Sequence, residues 1–169
     1  MKRTADHWME LLGLISHPEG GYFKETYRSG QVVSLPALGG NDAGDRHAGT
    51  AIYFLVTADQ PSCFHRLGTD EVWHHYDGDT LEILQIQPDG STLSTHLGKD
   101  GPPGTLPQQL VRAGTWFAAR VVPGGKYSLC GCTMAPGFDF SDFELGSRKR
   151  LAAAYPLLVD LIQALTKQE

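Results

Sequence analysis

Between Thr50 and Thr57 the chain reads TAIYFLVT, an uninterrupted apolar run rich in β-branched and aromatic residues and bounded by polar turn residues. That is the pattern of a buried strand. Upstream, YFKETYR (22–28) alternates Tyr22, Lys24, Thr26 and Arg28 with Phe23, Glu25 and Tyr27, and the preceding HPEGG (17–21) is a turn. From residue 62 to 134, CFHRL, EVWHHYDG, TLEILQIQ, STLSTHL, QQLVRAG, TWFAARVV and KYSLCGCTM are separated by Gly/Pro turns such as Pro88-Asp89-Gly90 and Pro123-Gly124-Gly125. This rhythm of short strand and turn predicts an all-β sandwich or barrel over about 21–134, and no βαβ alternation points to a parallel nucleotide fold. Helices are predicted only at the ends. Thr4 caps a short amphipathic helix over about 4–13 that carries Trp8, Leu11 and Leu12 and serves as a lid or packing helix. Ser147 caps another, and Pro156 opens a third with Leu157, Leu158, Leu161, Ile162 and Leu165 on one face, giving C-terminal helices over about 147–167. The aperiodic stretch 34–49 reads as an exposed loop able to cover a site.

Composition narrows the class of partner. The 169 residues fit a single domain, and 41% hydrophobic with 20% charged residues is the balance of a globular chain. A net charge of −5 supplies no basic field for a phosphate backbone, so nucleic acid is not expected and a small molecule suits better. Cys63, Cys130 and Cys132 read as reduced core thiols, since three cannot all pair and Cys-x-Cys lacks the usual zinc or redox spacing. Asp6, His7 and Glu10 interrupt any signal-peptide core, and no apolar window spans a bilayer, so a soluble, cytoplasmic protein with no membrane partner is expected.

Chemistry concentrates at 65–82, HRLGTDEVWHHYDGDTLE, which holds three histidines and five carboxylates. Imidazole and carboxylate converging inside a barrel either bind a divalent metal or act as base and orienting partner. Alternation over 71–76 puts Glu71, Trp73 and His75 on one face and Val72, His74 and Tyr76 on the other, so only one set can enter the cavity.

His65, Glu71 and Gly78 stand at the spacing of the first motif of the cupin superfamily, G(x5)HxH(x3–4)E(x6)G, and RAGTW (112–116) resembles the core of its second. HPEGGYFKETYRS, TAIYFLVT, FHRLGTDEVWHHYDGD, AGTWFAAR and GCTMAPGFDFSDFELG together resemble the small cupin-5 family, long catalogued as a domain of unknown function. The resemblance implies a double-stranded β-helix, the cupin jelly roll, usually a homodimer. Set against the metal-binding pattern, Leu67 stands at the second histidine, Arg112 at the motif Pro and Phe117 at the third histidine, leaving two ligands of four, His65 and Glu71. Three protein ligands are usual at a catalytic metal, so no metal or other cofactor is expected. His74, a conceivable third ligand, lies on the face opposite Glu71 unless a bulge intervenes.

The expectation is therefore a metal-independent cupin that binds a small polar ligand, a nucleotide or nucleotide-sugar, around His65, Glu71, Trp73 and Trp116. Tyr22, Tyr53 and Phe117 add aromatic surface, His74 a polar group, and Lys24 and Arg28, sharing a face, meet phosphate or carboxylate oxygens. A distant similarity to metal-free sugar-nucleotide epimerases of the superfamily gives an enzymatic reading with His65 and Glu71 as the catalytic pair. There His65 is the base, Glu71 or Asp70 its orienter and Tyr53 or Tyr76 the acid, with Arg28 near the diphosphate. The same fold would also suit a metal-dependent cupin enzyme or a non-catalytic storage or assembly cupin.

Overall fold

The computed structural model describes residues 3–34 and 44–168. Thirteen strands appear among them: β1 Ile15–Ser16, β2 Tyr22–Arg28, β3 Val32–Ser34, β4 Asp45–His47, β5 Thr50–Thr57, β6 Ser62–Arg66, β7 Glu71–Gly78, β8 Leu81–Ile86, β9 Thr92–Leu97, β10 Gln108–Val111, β11 Trp116–Val121, β12 Tyr127–Met134 and β13 Glu144–Leu145. They form a six-stranded sheet in the order β1-β2-β5-β12-β7-β10, a five-stranded sheet in the order β13-β6-β11-β8-β9, and the small pair β3-β4. Every ladder between named strands is antiparallel, and the two large sheets face each other as a jelly roll. Their inner faces interdigitate Phe54, Trp73 and Cys130 from one sheet with Ile83, Phe117 and Ala119 from the other.

Two outer layers complete the molecule. Helix α1 (Ala5–Leu12) is capped by Thr4, whose side chain accepts from the His7 amide, and ends at Gly13 in the left-handed region. It lays Trp8, Met9 and Leu12 on Leu55, Tyr127 and Leu129, so it packs on the outer face of the six-stranded sheet. Helices α2 (Arg148–Ala154) and α3 (Val159–Ala164) cover the other sheet, pressing Leu151, Ile162 and Leu165 onto Phe64, Leu84 and Ala118. Leu157 departs from the expected apolar face and is 96% exposed, because Pro156–Leu158 is a 3-10 turn whose three-residue period throws it off the stripe that α3 continues. The stretch 34–49 is also not loop throughout: Val32–Ser34 pairs with Asp45–His47, while 35–43 lie outside the described residues. Cys63, Cys130 and Cys132 are free and buried. Among the described residues no helix is long and apolar enough to cross a membrane.

Candidate active site in the barrel cavity

The site starts with a turn. His17 to Gly21 closes on itself through Gly20 N–H to His17 O (3.0 Å) and His17 N–H to Gly21 O (3.1 Å). Gly20 has φ 108°, and a Cβ there would overlap the Pro61 carbonyl, so only glycine lets the turn lie this close to the start of β6. Cys63 N–H donates to the Glu19 carbonyl at 2.8 Å and pins the turn to the strand, which drives the Glu19 side chain into the barrel.

Glu19 is 5% exposed yet ionised, because its oxygens are fully partnered. Ser62 Oγ donates to Oε1 at 2.8 Å, and Oε2 lies 3.3 Å from both His17 Nδ1 and His65 Nε2. Burial alone would raise its pKa; attraction to His65 and the bonds from His17 and Ser62 outweigh burial and hold it below the usual carboxylate value. His65 Nδ1 sits 2.7 Å from the Cys63 carbonyl, which can only accept, so that nitrogen carries a hydrogen. Both ring nitrogens of His65 are thus engaged, and Phe117 packs on the ring at 4.1 Å between centroids.

Glu71 has the opposite fate. It is buried at the cavity wall, accepts from Trp73 Nε1 at 2.7 Å and is hydrogen-bonded to the Cys132 thiol, but has no cation beside it among the described residues. Burial, then the nearby charge of Glu19, push its pKa to about 8, so it is mostly protonated at neutral pH. Two carboxyls in one cavity therefore hold different charge states. Burial also pushes the Cys132 thiol well up, and it stays protonated.

The cavity is about 50 Å³, enough for roughly four waters. Its wall is mainly the inner face of the six-stranded sheet, with Phe23, Ile52, Phe54, Trp73 and Met134, closed by Leu67 and Phe138. The ionisable side chains on its lining are His17, Glu19, Glu25, His65, Glu71 and Cys132, with no Lys or Arg among the described ones. At the rim Arg28 grips both oxygens of Glu25 (2.9 and 2.6 Å) and donates to the Phe138 carbonyl (3.1 Å). Over the mouth, a 3-10 turn at Phe140–Asp142 is held by Arg46, which grips both Asp142 oxygens at 2.6 and 2.7 Å.

Of the residues expected from sequence, the structure brings His65, Glu71 and Trp73 to the cavity, Phe117 behind His65 and Arg28 to the rim. Lys24 and Arg28 do not share a face. A bulge between Glu25 and Tyr27 re-phases β2, so Arg28 pairs opposite Thr50 on the cavity side while Lys24 pairs opposite Tyr53 on the outside. Tyr53 and Tyr76 contact each other on that outer face, 6.0 Å between ring centroids, so neither is an acid across a substrate from His65. Tyr22 lies beneath α1. His74 is outward too, 2.9 Å from Thr133 Oγ1, because the bulge in β7 falls beyond it at 75–77. Trp116 faces the helical layer and stacks under Arg66, with the guanidinium 4.7 Å from the ring. Asp70 is not the orienter: it is held at the surface by Arg112 and the Ala113 amide, and the carboxylate beside His65 is Glu19.

The metal positions of the superfamily do not fit a metal here. Leu67 and Phe117 offer hydrocarbon and His65 is engaged at both nitrogens; no group of three His, Cys, Asp or Glu among the described residues can hold an ion.

His17, Glu19 and Glu25 were not legible as site residues. The signal for His17 and Glu19 is a carboxylate inside His-Pro-Glu-Gly-Gly, where two glycines allow a turn to press against a strand; nothing in YFKETYR marks Glu25.

Comparison with known proteins agrees with this architecture. An uncharacterized protein of Saccharomyces cerevisiae, YML079W, is 33% identical over 138 residues, 76% of this chain and 68% of the yeast protein. A solved hypothetical protein from Leishmania major superposes with a TM-score of 0.88 at 34% identity, over 98% of this chain and 100% of that one. Oxalate decarboxylase of Bacillus subtilis shares the fold alone, at a TM-score of 0.52 and 13% identity over 91% of this chain and 37% of its own. The family described as cupin superfamily, DUF985, matches residues 6–146, and the chain belongs to it.

Proposed function

We propose that this cupin binds a small organic molecule in the barrel cavity without a metal, and that Glu71 changes its protonation as the molecule binds. The observation that carries the reading is Glu71: a buried carboxyl on the cavity wall, without a counter-charge, whose proton affinity lies near neutral pH. Acid–base groups work best with a pKa close to the operating pH. Its proton leaves as the ligand binds, to a basic atom of the ligand where there is one and otherwise to solvent, and returns when the ligand departs. Glu19, bonded by Ser62 and His17 and attracted to His65, is a weak base and serves instead to raise Glu71 and hold His17 and His65.

A nucleotide or nucleotide-sugar fits less well. A cavity of about 50 Å³ takes a fragment of it and no more, and the diphosphate would stay outside, at Arg28 on the rim. The test is a thermal-shift panel of nucleotides, nucleotide-sugars, free sugars and small amines, with the pH dependence of affinity and the protons exchanged on binding followed in any compound that binds. A ligand at a hundred times its dissociation constant adds about 2.7 kcal/mol. Binding coupled to a proton is expected in the wild type and in Lys24→Ala, with the coupling lost in Glu71→Gln. A binder whose behaviour ignores both Glu71→Gln and His17→Ala would place the ligand elsewhere and refute the proposal.

A further inference from the structure

We propose that the group entering the cavity is a compact organic cation, an alkylammonium head, seated among the rings beside Glu71. The inference rests on the reading of this cavity as a ligand site and names the ligand class.

Three observations carry it. The first is shape. His17 and Phe23 meet at 89°, His17 and Phe54 at 87°, and Phe54 and Trp73 at 88°, all of them on the lining. A flat ligand ring needs parallel walls; rings set at right angles form the corner of a box and suit a rounded group. The second is size, since room for roughly four waters matches an ammonium carrying three methyl groups. The third is charge. The ionisable lining is carboxyl, imidazole and thiol, and Arg28 is neutralised at the rim by Glu25. An entering oxyanion would meet the Glu19 charge, whereas a cation supplies the counter-charge that Glu71 lacks. Aromatic walls attract ammonium groups through their negative faces, more strongly once water is excluded.

Entry of a cation couples to a proton. Glu71 is faced by Glu19 and His17 from the 17–21 turn, by His65 from β6 and by Cys132 from β12, with Glu25 and Arg28 at the mouth on β2. Glu71 is the carboxyl of the cavity wall that holds its proton near neutral pH, so a bound ammonium displaces that proton to solvent and leaves a carboxylate against the charge.

The test compares choline with 3,3-dimethyl-1-butanol, its uncharged carbon isostere, and with acetate. Binding is read by calorimetry and by the indole N–H resonance of Trp73, which donates to Glu71. At pH 9 choline is expected to bind at least roughly tenfold tighter than the isostere, with acetate inert. Its affinity should rise about tenfold per pH unit below pH 8 and then level off, as binding coupled to loss of one proton requires. In Glu71→Gln that pH dependence should vanish. Equal binding of choline and isostere in the wild type overturns the cationic class while leaving the cavity as a ligand site. Binding of acetate in preference to choline overturns it as well. Silence of the Trp73 resonance toward all three overturns this proposal, and the broader reading is then judged by its own panel.

Discussion

Replacing Glu71 with Gln tests the electrostatics of the cavity without emptying it. The amide has the shape of the protonated acid and its oxygen can accept from Trp73 Nε1, but it has no proton to lose. In the unfolded chain Glu71 titrates near 4.5, and in the folded protein near 8. Below about pH 4.5 the carboxyl is protonated in both states and its contribution to stability is complete. Between about 4.5 and 8 the unfolded chain releases the proton while the folded one keeps it, so stability falls by about 1.4 kcal/mol per pH unit, and above 8 the loss levels off. Over the whole window the loss is about 5 kcal/mol, a large part of the 5–15 kcal/mol that holds a typical domain. The variant lacks this term. Urea unfolding of both proteins at pH 5, 6, 7, 8 and 9 should give a wild-type-minus-variant difference that slopes downward to pH 8 and then flattens, other titrating groups largely cancelling. Parallel profiles across that range would refute the reasoning, because they require Glu71 to ionise alike in both states.

Other perturbations bear on the same framework. Glu19→Ala removes the carboxylate from His17, His65 and Ser62 and should cost about 3 kcal/mol in urea unfolding at pH 7, as expected when buried polar partners are left unsatisfied, while Glu19→Gln should lower the Glu71 midpoint by removing the like charge. Gly20→Ala puts a Cβ into the Pro61 carbonyl at a left-handed φ and should destabilise by about 2–4 kcal/mol, with the Trp73 resonance moving as Glu19 shifts. Asp142→Asn weakens the two-point grip of Arg46 on the turn over the mouth; faster hydrogen exchange confined to 138–146 is the expected result. Trp116→Ala should lose about 3 kcal/mol of packing under α2 and the Arg66 contact, yet leave ligand affinity at the cavity unchanged.

The strand-and-turn rhythm carried the architecture because alternation and turn residues are local properties that the jelly roll satisfies nearly everywhere. For the same reason alternation placed Glu71 and Trp73 together on the inner face, and His74 opposite. It failed on β2, where one extra residue near Thr26 moves Arg28 to the cavity and leaves Lys24 outside, and no local signal in YFKETYR announces a bulge. It was also silent on Glu19. That side chain enters the cavity through contacts 43 and 46 positions away, with Ser62 and His65, which depend on how a glycine turn docks on a distant strand. Tyr53 and Trp116 mislead for a simpler reason: a sandwich has two faces per sheet, both rich in aromatics, and here helices cover part of the outer ones.

The central claim is that a protonated Glu71 faces an apolar cavity at neutral pH. Titration of its side-chain carboxyl carbon by NMR, in protein labelled at glutamate and assigned through Glu71→Gln, measures this directly. A midpoint near 8 is predicted, falling when choline is bound. A midpoint near the ordinary 4.5, unmoved by Glu19→Gln, would contradict the account.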